Sequence, residues 1–255
     1  MCGNVPTLPP MPTVWALSDL HLSLSGAKPM DVFGDHWEKH HEQMAEAWDR
    51  LVGPDDIVLS PGDVCWAMKP AEATIDLAWI GQRPGWKVLA KGNHDYWWPS
   101  TKKGLAAALP QRTVAIKKTA ARIAGIGFFG ARGGDFAANP RYGDKRTQAD
   151  IDTWLDREEI ELKTSIAELD RLDAEAGVPR GLRICVFHYP PVPPGRRSSR
   201  FTPIITAAGA SHCVYGHLHG KQVGPAKVEG EIDGVQYRCA SCDLIAFTPV
   251  EICRV

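Results

Sequence analysis

The strongest constraint on this chain is a repeated plan in which a short apolar run ends abruptly in polar residues. "TVWALSDLH" (13–21), "DIVLSPGDV" (56–64), "WKVLAKGNHD" (86–95), "LRICVFHYP" (182–190) and "HCVYGHLH" (212–219) all follow it. Runs this short and this rich in β-branched residues read as buried strands. Open α/β sheets gather ligands at the carboxyl ends of their strands. Five polar clusters in such places point to one composite site.

Helical patterns separate the runs. Trp37, His41, Met44, Trp48, Leu51 and Val52 recur at helical spacing, with charges between them. A second pattern, Ala71 to Ile80, follows Pro70 and puts Ile75, Ala78 and Trp79 on one face. The longest runs from about 148 to 176, with Ile151, Trp154, Leu155, Leu162, Ile166, Leu169 and Leu172 as its buried stripe. Charges at 156–173 give it a wet face, and Gly177 with Pro179 ends it. "RTVAIKK" (112–118) and "RIAGIGFFGARGG" (122–134) read as adjacent strands, and residues 227–255 add short strands and turns such as Asp233-Gly234. The class is α/β. With no repeat or linker, residues 13–255 read as one domain after a Pro-rich tail, 1–12, expected to be disordered, with Met11 an alternative start.

Bulk properties exclude several classes. A net charge of −1 argues against a polybasic, generally nucleic-acid-binding surface. No apolar run approaches the roughly 18 residues of a membrane span, so no membrane partner is expected. Seven cysteines, an odd number in a chain too large to need disulfide staples, suggest a reducing, cytoplasmic setting. Cys239-Ala-Ser-Cys242 has redox or zinc spacing but no second pair, and reads as small residues in a late strand.

The polar strand ends are Asp19 with His21, Asp63, Asn93 with His94 and Asp95, His188, and His217 with His219. In extended chain, residues two apart share a side, so Asp19/His21 and His217/His219 would each aim two ligands at one point. Mixed carboxylate and imidazole donors suit manganese, iron, zinc or similar ions. Seven donors exceed one tetrahedral zinc and suit a pair of ions, with Asp63 a candidate bridge. Gly62, Gly92 and Gly216 immediately precede three of these groups and permit sharp exits and close backbone approach.

In order, Asp19-Leu-His21, Gly62-Asp63, Gly92-Asn93-His94-Asp95, His188 and Gly216-His217-Leu218-His219 resemble the motif set of the calcineurin-like metallophosphoesterases. "KPMDVFG", "GDVCWAM", "KGNHDYWW" and the "ARGG" loop resemble a bacterial branch of predicted phosphohydrolases. The resemblance implies a four-layer αββα sandwich with two mixed β-sheets and the site along one edge. It implies two divalent or trivalent ions (Mn, Fe or Zn), the first held by Asp19, His21 and His219, the second by Asn93, His188 and His217, with Asp63 bridging. A hydroxide shared by the ions would attack phosphorus in line, and His94, oriented by Asp95, would protonate the leaving oxygen. The expected partner is a phosphorylated small molecule, as a phosphate monoester or diester.

Outside the motifs, Arg196, Arg197 and Arg200 follow His188 closely and are candidate phosphate clamps, as is Arg132. Of Trp97 and Trp98, one is expected in the core and the other, Trp97, along the pocket. His36, His40 and His41 are expected to be surface or partly packed. Two other readings compete: a non-catalytic metal-binding scaffold, against which the intact ligand set argues, and a nucleic-acid phosphodiesterase, which would need a basic, aromatic groove.

Overall fold

The structure is a computed structural model that describes residues 11–26, 28–139, 143–220, 223 and 227–255. Residues 1–10 of the expected tail lie outside these. Each apolar run forms a strand that stops before its polar residues. The first sheet contains β1 (Thr13–Ala16), β2 (Ile57–Ser60), β3 (Trp86–Ala90), β4 (Thr113–Ile116) and β11 (Val250–Arg254), in the order β11-β1-β2-β3-β4. The second contains β5 (Ala121–Ile123), β6 (Ile126–Ala131), β7 (Arg183–Phe187), β8 (His212–Tyr215), β9 (Gly230–Ile232) and β10 (Val235–Cys239), in the order β5-β6-β7-β8-β10-β9. In each sheet four neighbouring strands are parallel, and the antiparallel pairs lie at the edges.

Side-chain alternation builds the layers. Val14, Ile57, Leu59, Val88 and Ile116 of the first sheet pack against Ile126, Phe128, Ile184, Val186 and Val214 of the second. The intervening residues face outward. Val58 and Leu89 meet helices α1 (His40–Leu51) and α2 (Thr74–Gln82) through Met44, Trp48, Leu77 and Ile80. Phe129, Cys185 and Phe187 meet α4 (Gln148–Glu175) and α5 (Thr202–Ala207) through Ile151, Leu155, Leu162, Leu169 and Ile205. Three apolar strata between four layers make an αββα sandwich. A short helix the sequence reading did not separate, α3 (Lys102–Ala108), is capped by Thr101 Oγ1, which accepts the Gly104 N–H at 3.1 Å.

Several local expectations need correction. "RTVAIKK" and "RIAGIGFFGARGG" do not lie side by side: β4 is the edge of one sheet, and the second run folds as the β5–β6 hairpin of the other, turning at Ala124-Gly125. In α2 the inward face is Leu77 and Ile80, with Ala73 at the cap, while Ile75 is half exposed; apolar residues lie nearly all round this helix, so spacing alone does not single out the packed face. In α1 it is His40, not His41, that turns inward, and its Nε2 lies 3.0 Å from the Leu20 carbonyl oxygen. The long helix α4 falls where expected, opened by a Thr147/Asp150 capping box. Its buried side nevertheless includes Glu158, Ser165 and Asp173, which bond strand-end and loop groups of the second sheet. Among the described residues, no helix is long and apolar enough to cross a membrane.

Candidate metal centre

The carboxyl ends of β1, β2, β3, β7 and β8 meet along one edge of the sandwich, and every motif residue lies there. Beyond β1 the chain leaves extended geometry. Asp19 (φ 57°), His21 (φ 43°), Asp63 (φ 53°) and His217 (φ 71°) all adopt the left-handed region. Such residues cost on the order of 1–3 kcal/mol each and cluster where surrounding structure fixes them for a purpose. Here parallel rungs fix them: Asp19 N–H donates to Gly62 O at 3.0 Å, His21 N–H to Asp63 O at 2.9 Å. The expected two-residue alternation is therefore not what aims Asp19 and His21; consecutive left-handed bends are.

Two glycines are required by close approach rather than by φ. A Cβ on Gly92 would stand 2.0 Å from Asp63 Oδ1, and one on Gly216 would stand 2.2 Å from Asp19 Oδ2. Each lets a carboxylate press against the neighbouring strand-end backbone. The His217 N–H then donates to both Asp19 oxygens at 3.0 Å, and Ser241 Oγ–H donates to Oδ2 at 3.1 Å, locking the carboxylate across the two sheets.

The donors gather in two sets. His219 Nε2 lies 3.5 Å from Asp19 Oδ1 and 3.2 Å from His21 Nε2. Asn93 Oδ1 lies 2.7 Å from His188 Nε2 and 2.9 Å from His217 Nδ1. His217 and His219 thus serve different sets rather than one point. Asp63 stands between, with Oδ2 3.8 Å from His21 Nε2 and Oδ1 3.6 Å from His188 Nε2. Asp19, His21 and His219, and likewise Asp19, Asp63 and His188, each bring ligand atoms within 4.8 Å of one another. Outer partners orient the rings: Asp243 Oδ1 lies 2.9 Å from His219 Nδ1, and Pro61 O lies 2.9 Å from His188 Nδ1.

The electrostatics are those of a cluster short of positive charge. Burial, with Asp19 and Asp95 close by, pushes the Asp63 carboxyl well above the usual range. Burial drives His188 down to about 4 and, aided by His188, His217 down to about 3. His21 is likewise held well below its ordinary value by burial and by His219. Burial opposes protonation of His219 as well, but its bonds to Asp19 and Asp243 carry it up to about 10. Burial disfavours ionised Asp19 too, and His219 with the other imidazoles outweighs it, leaving that carboxyl far below the usual range. Imidazoles held neutral at His21, His188 and His217 and converging on buried carboxylates are the donor chemistry that divalent cations take.

His94 and Asp95 separate. His94 is partly exposed beside the donors, its ring 5.7 Å from His21 and 4.3 Å from Trp66, and its N–H donates to Asp63 Oδ1 at 2.8 Å. Its Nδ1 is buried without a hydrogen-bond partner, and burial together with Lys28 lowers its pKa to about 4. The expected orienting contact from Asp95 is absent. The Asp95 carboxylate instead accepts the N–H groups of Gly92 (2.7 Å), Asp63 (2.9 Å), Val64 (2.9 Å) and Cys65 (3.5 Å) and the Trp97 indole N–H (3.0 Å). It is the knot that holds the Asp63 loop to the Asn93 loop.

The remaining expectations divide further. Trp97 is fully buried and Trp98 nearly so, so neither lines the site. The aromatic wall is Trp66, stacked on His21 at 4.9 Å, with Trp37 edge-on at 6.1 Å. Lys28 Nζ sits 3.1 Å from the Trp66 ring centre. Trp66 and Lys28 lie in the "GDVCWAM" and "KPMDVFG" stretches; Trp66 follows the Asp63 motif by three residues, a spacing that could have flagged it. Arg200 is not a clamp: it is bound to Glu159 and Asp156 on α4. Arg196 and Arg197 are exposed. Arg132 pairs with Glu158 at 3.5 Å and lies over Trp154, with its carbonyl accepting the N–H of Tyr189, the neighbour of His188. Cys239 and Cys242 are both buried, like most cysteines of the chain, and the described cysteines form no disulfide.

Comparison with known proteins agrees with this geometry. "Gene 66 protein" of Mycobacterium phage L5 is 38% identical over 85 residues, 33% of this chain and 41% of the phage protein. Its namesake in phage D29 is 39% identical over 87 residues, again 33% and 41%; the chain thus matches about two-fifths of the length of these relatives. A solved structure described as phosphopantetheinyl hydrolase from Mycobacterium tuberculosis superposes with a TM-score of 0.50 at 16% identity, covering 90% of this chain and 89% of that one, a likeness of fold. The family described as calcineurin-like phosphoesterase matches residues 12–221. With that span taking in every strand end of the site, the chain belongs to the calcineurin-like phosphoesterases.

Proposed function

We propose that the protein is a dinuclear metal-dependent phosphoesterase that hydrolyses a phosphate monoester or diester, with His94 as general acid. The observation that carries this is the meeting of seven donors from five strand ends beside one partly exposed imidazole. Asp19, His21 and His219 would hold one cation, and Asn93, His188 and His217 the other, with Asp63 facing both sets. Two such ions, of manganese, iron or zinc, supply charge neutralisation at phosphoryl oxygens and hydroxide near neutral pH.

The chain supplies the rest. Asp63, Asp19 and their backbone donors fix the donor positions before substrate arrives. Trp66 packs against His94 and His21 and excludes water from one side of the centre. Lys28, held against Trp66, offers a cation to an incoming phosphate. His94 delivers a proton to the leaving oxygen. In the free protein that ring is neutral at pH 7, so the role requires a bound phosphate ester's negative charge to favour the imidazolium. A phosphorylated small molecule is the partner this mouth suits. The basic, aromatic groove expected of a nucleic-acid phosphodiesterase loses Trp97 to the core and Arg200 to α4.

The test combines elemental analysis of the purified protein with turnover of p-nitrophenyl phosphate and its bis ester across a metal panel. Expected are about two bound ions and turnover of at least one ester. His94→Ala should slow a poor leaving group by about 10²–10⁴-fold, and an activated one much less. A protein that binds no divalent metal and turns over neither ester overturns the proposal, and one that binds metal but turns over neither is the non-catalytic scaffold.

A further inference from the structure

We propose that the cavity beside the Asn93/His188 half of the centre is a binding site for a phosphate-type oxyanion. It measures about 170 Å³ and is lined by Lys91, Lys117 and Arg132, with Glu158 and Glu161 on the α4 side. The three cations follow the ends of three strands, β3, β4 and β6, and therefore come from both sheets. Both carboxylates are already engaged. Glu161 pairs with Lys118 at 3.1 Å, and Lys118 is not part of the lining. Glu158 accepts the Gly133 N–H at 3.0 Å and lies 3.5 Å from Arg132 Nη2. Among the described residues, neither the Lys91 nor the Lys117 ammonium is paired with a carboxylate.

Arg132 is set in place for such a ligand. Its guanidinium carbon lies 4.3 Å from the centre of the Trp154 ring, and the Trp154 indole is itself anchored by donating to Gly133 O at 3.1 Å. A stacked guanidinium loses little freedom when its fork meets an oxyanion. The three cations share this partly enclosed space with two carboxylates committed to Arg132 and to Lys118, so the two lysine charges remain for an anion to meet. Two lysines without partners beside a fixed arginine are what a phosphate's three oxygens would satisfy.

The position gives the site its use. Lys91 precedes Asn93 by two residues, and the Arg132 carbonyl accepts the N–H of Tyr189, next to His188, at 2.9 Å. An oxyanion held here is either a second phosphate carried by the substrate or inorganic phosphate. That assignment to the reaction rests on the phosphoesterase reading; the anion site itself does not.

The experiment titrates inorganic phosphate into the metal-stripped full chain by calorimetry. One saturable site is expected, with Lys91→Met and Lys117→Met each weakening binding about tenfold, as the loss of one charged hydrogen bond predicts. Lys91→Arg and Lys117→Arg should retain most of the affinity, and Lys103→Ser, at an exposed position of α3, all of it, with circular dichroism showing each variant folded. No saturable binding by the parent, or unchanged affinity in folded Lys→Met variants, overturns the proposal. Because the stripped protein needs no turnover, this outcome is independent of whether phosphoesterase activity exists. The source is separated in the metal-loaded protein. A KM rise in Lys117→Met only for esters bearing a second phosphate assigns the site to substrate. Relief of phosphate inhibition on p-nitrophenyl phosphate assigns it to free phosphate. An effect on neither removes the site from the reaction.

Discussion

Asp95→Asn separates two roles that the sequence alone merges. The Asp95 carboxylate takes two N–H donors on Oδ2, from Asp63 and Gly92, and three on Oδ1, from Val64, Cys65 and Trp97. Asparagine keeps one acceptor oxygen and turns the other into a donor, so at least two buried N–H groups lose their partner. Hydrogen bonds to a charged group contribute about 1.5–3 kcal/mol each, so the gross loss is about 3–6 kcal/mol. At roughly 2–4 °C per kcal/mol for a domain of this size, Tm falls by roughly 6–24 °C. Relief of burying the charge offsets part of this, since burial pushes the Asp95 carboxyl up, and a drop of at least about 5 °C remains the expectation. The assay is thermal unfolding in chelator, so that bound metal does not mask the loss. It is paired with kcat for phenyl phosphate and p-nitrophenyl phosphate in the metal-loaded protein. Both esters should slow together, because the Asp63 and Asn93 loops move together. A variant that melts within about 2 °C of the parent and loses only the poor leaving group, the pattern expected of His94→Ala, would show that Asp95 acts through the imidazole and would overturn its role as the tie between the loops.

Other perturbations probe separate links. Gly92→Ala places a methyl 2.0 Å from Asp63 Oδ1 and 2.2 Å from its backbone N; the expected result is a 10–100-fold weaker metal affinity by competition with a chelator, and unchanged affinity would refute the cradle. Lys28→Met should raise KM for a phosphate ester about tenfold, equivalent to about 1.4 kcal/mol, with kcat little changed. Arg183 is buried between Asp173 and Asp170, the latter at 2.6 Å, so Arg183→Met should cost about 3–5 kcal/mol in urea unfolding. Burial raises the Asp173 pKa, but Arg183 and Arg122 outweigh it and hold it below the ordinary aspartate range. A depressed folded pKa means that the unfolded state binds more protons. The stabilisation is therefore present above about pH 4 and lost as pH falls through the folded value. Asp173→Asn should flatten the fall in stability below pH 4, and an unchanged acid limb would assign that fall to other carboxylates.

The parts legible in the sequence were those set by one local rule. Strand runs, the α4 stripe and its Gly177 stop, and the seven donors at strand ends each follow from periodicity or position, and the structure has them where expected. The parts that were not legible depend on phase and on partners distant in the chain. The inward face of α2 was hidden because Ile75, Leu77, Ala78, Trp79 and Ile80 put apolar groups nearly all round its axis. Trp97 and Trp98 follow the Asn93-His94-Asp95 motif after one residue, yet the turn after Asp95 drives both into the core. Trp66 forms the wall instead because the Leu22–Cys65 bridge brings its segment alongside His21. Arg200 looks like a phosphate ligand until α4, which begins more than 50 residues earlier, presents Glu159 to it.

The same distinction bears on how the centre is held. Donor types can be read from the chain, but donor aim resides in four left-handed residues, each unfavourable taken singly, and in two glycines that permit close approach. Strain of this kind persists only if the surroundings over-determine it. Here Asp95 ties the β2 and β3 loops, the Asp19 carboxylate bonds His217 across the sheets, and Asp243 fixes His219. These three carboxylates point their oxygens at backbone or imidazole N–H groups of the site's own loops. Their removal should therefore disturb stability and metal affinity together, whereas truncation of His94, whose ring Nδ1 finds no hydrogen-bond partner among the described residues, should slow proton transfer and leave the frame standing.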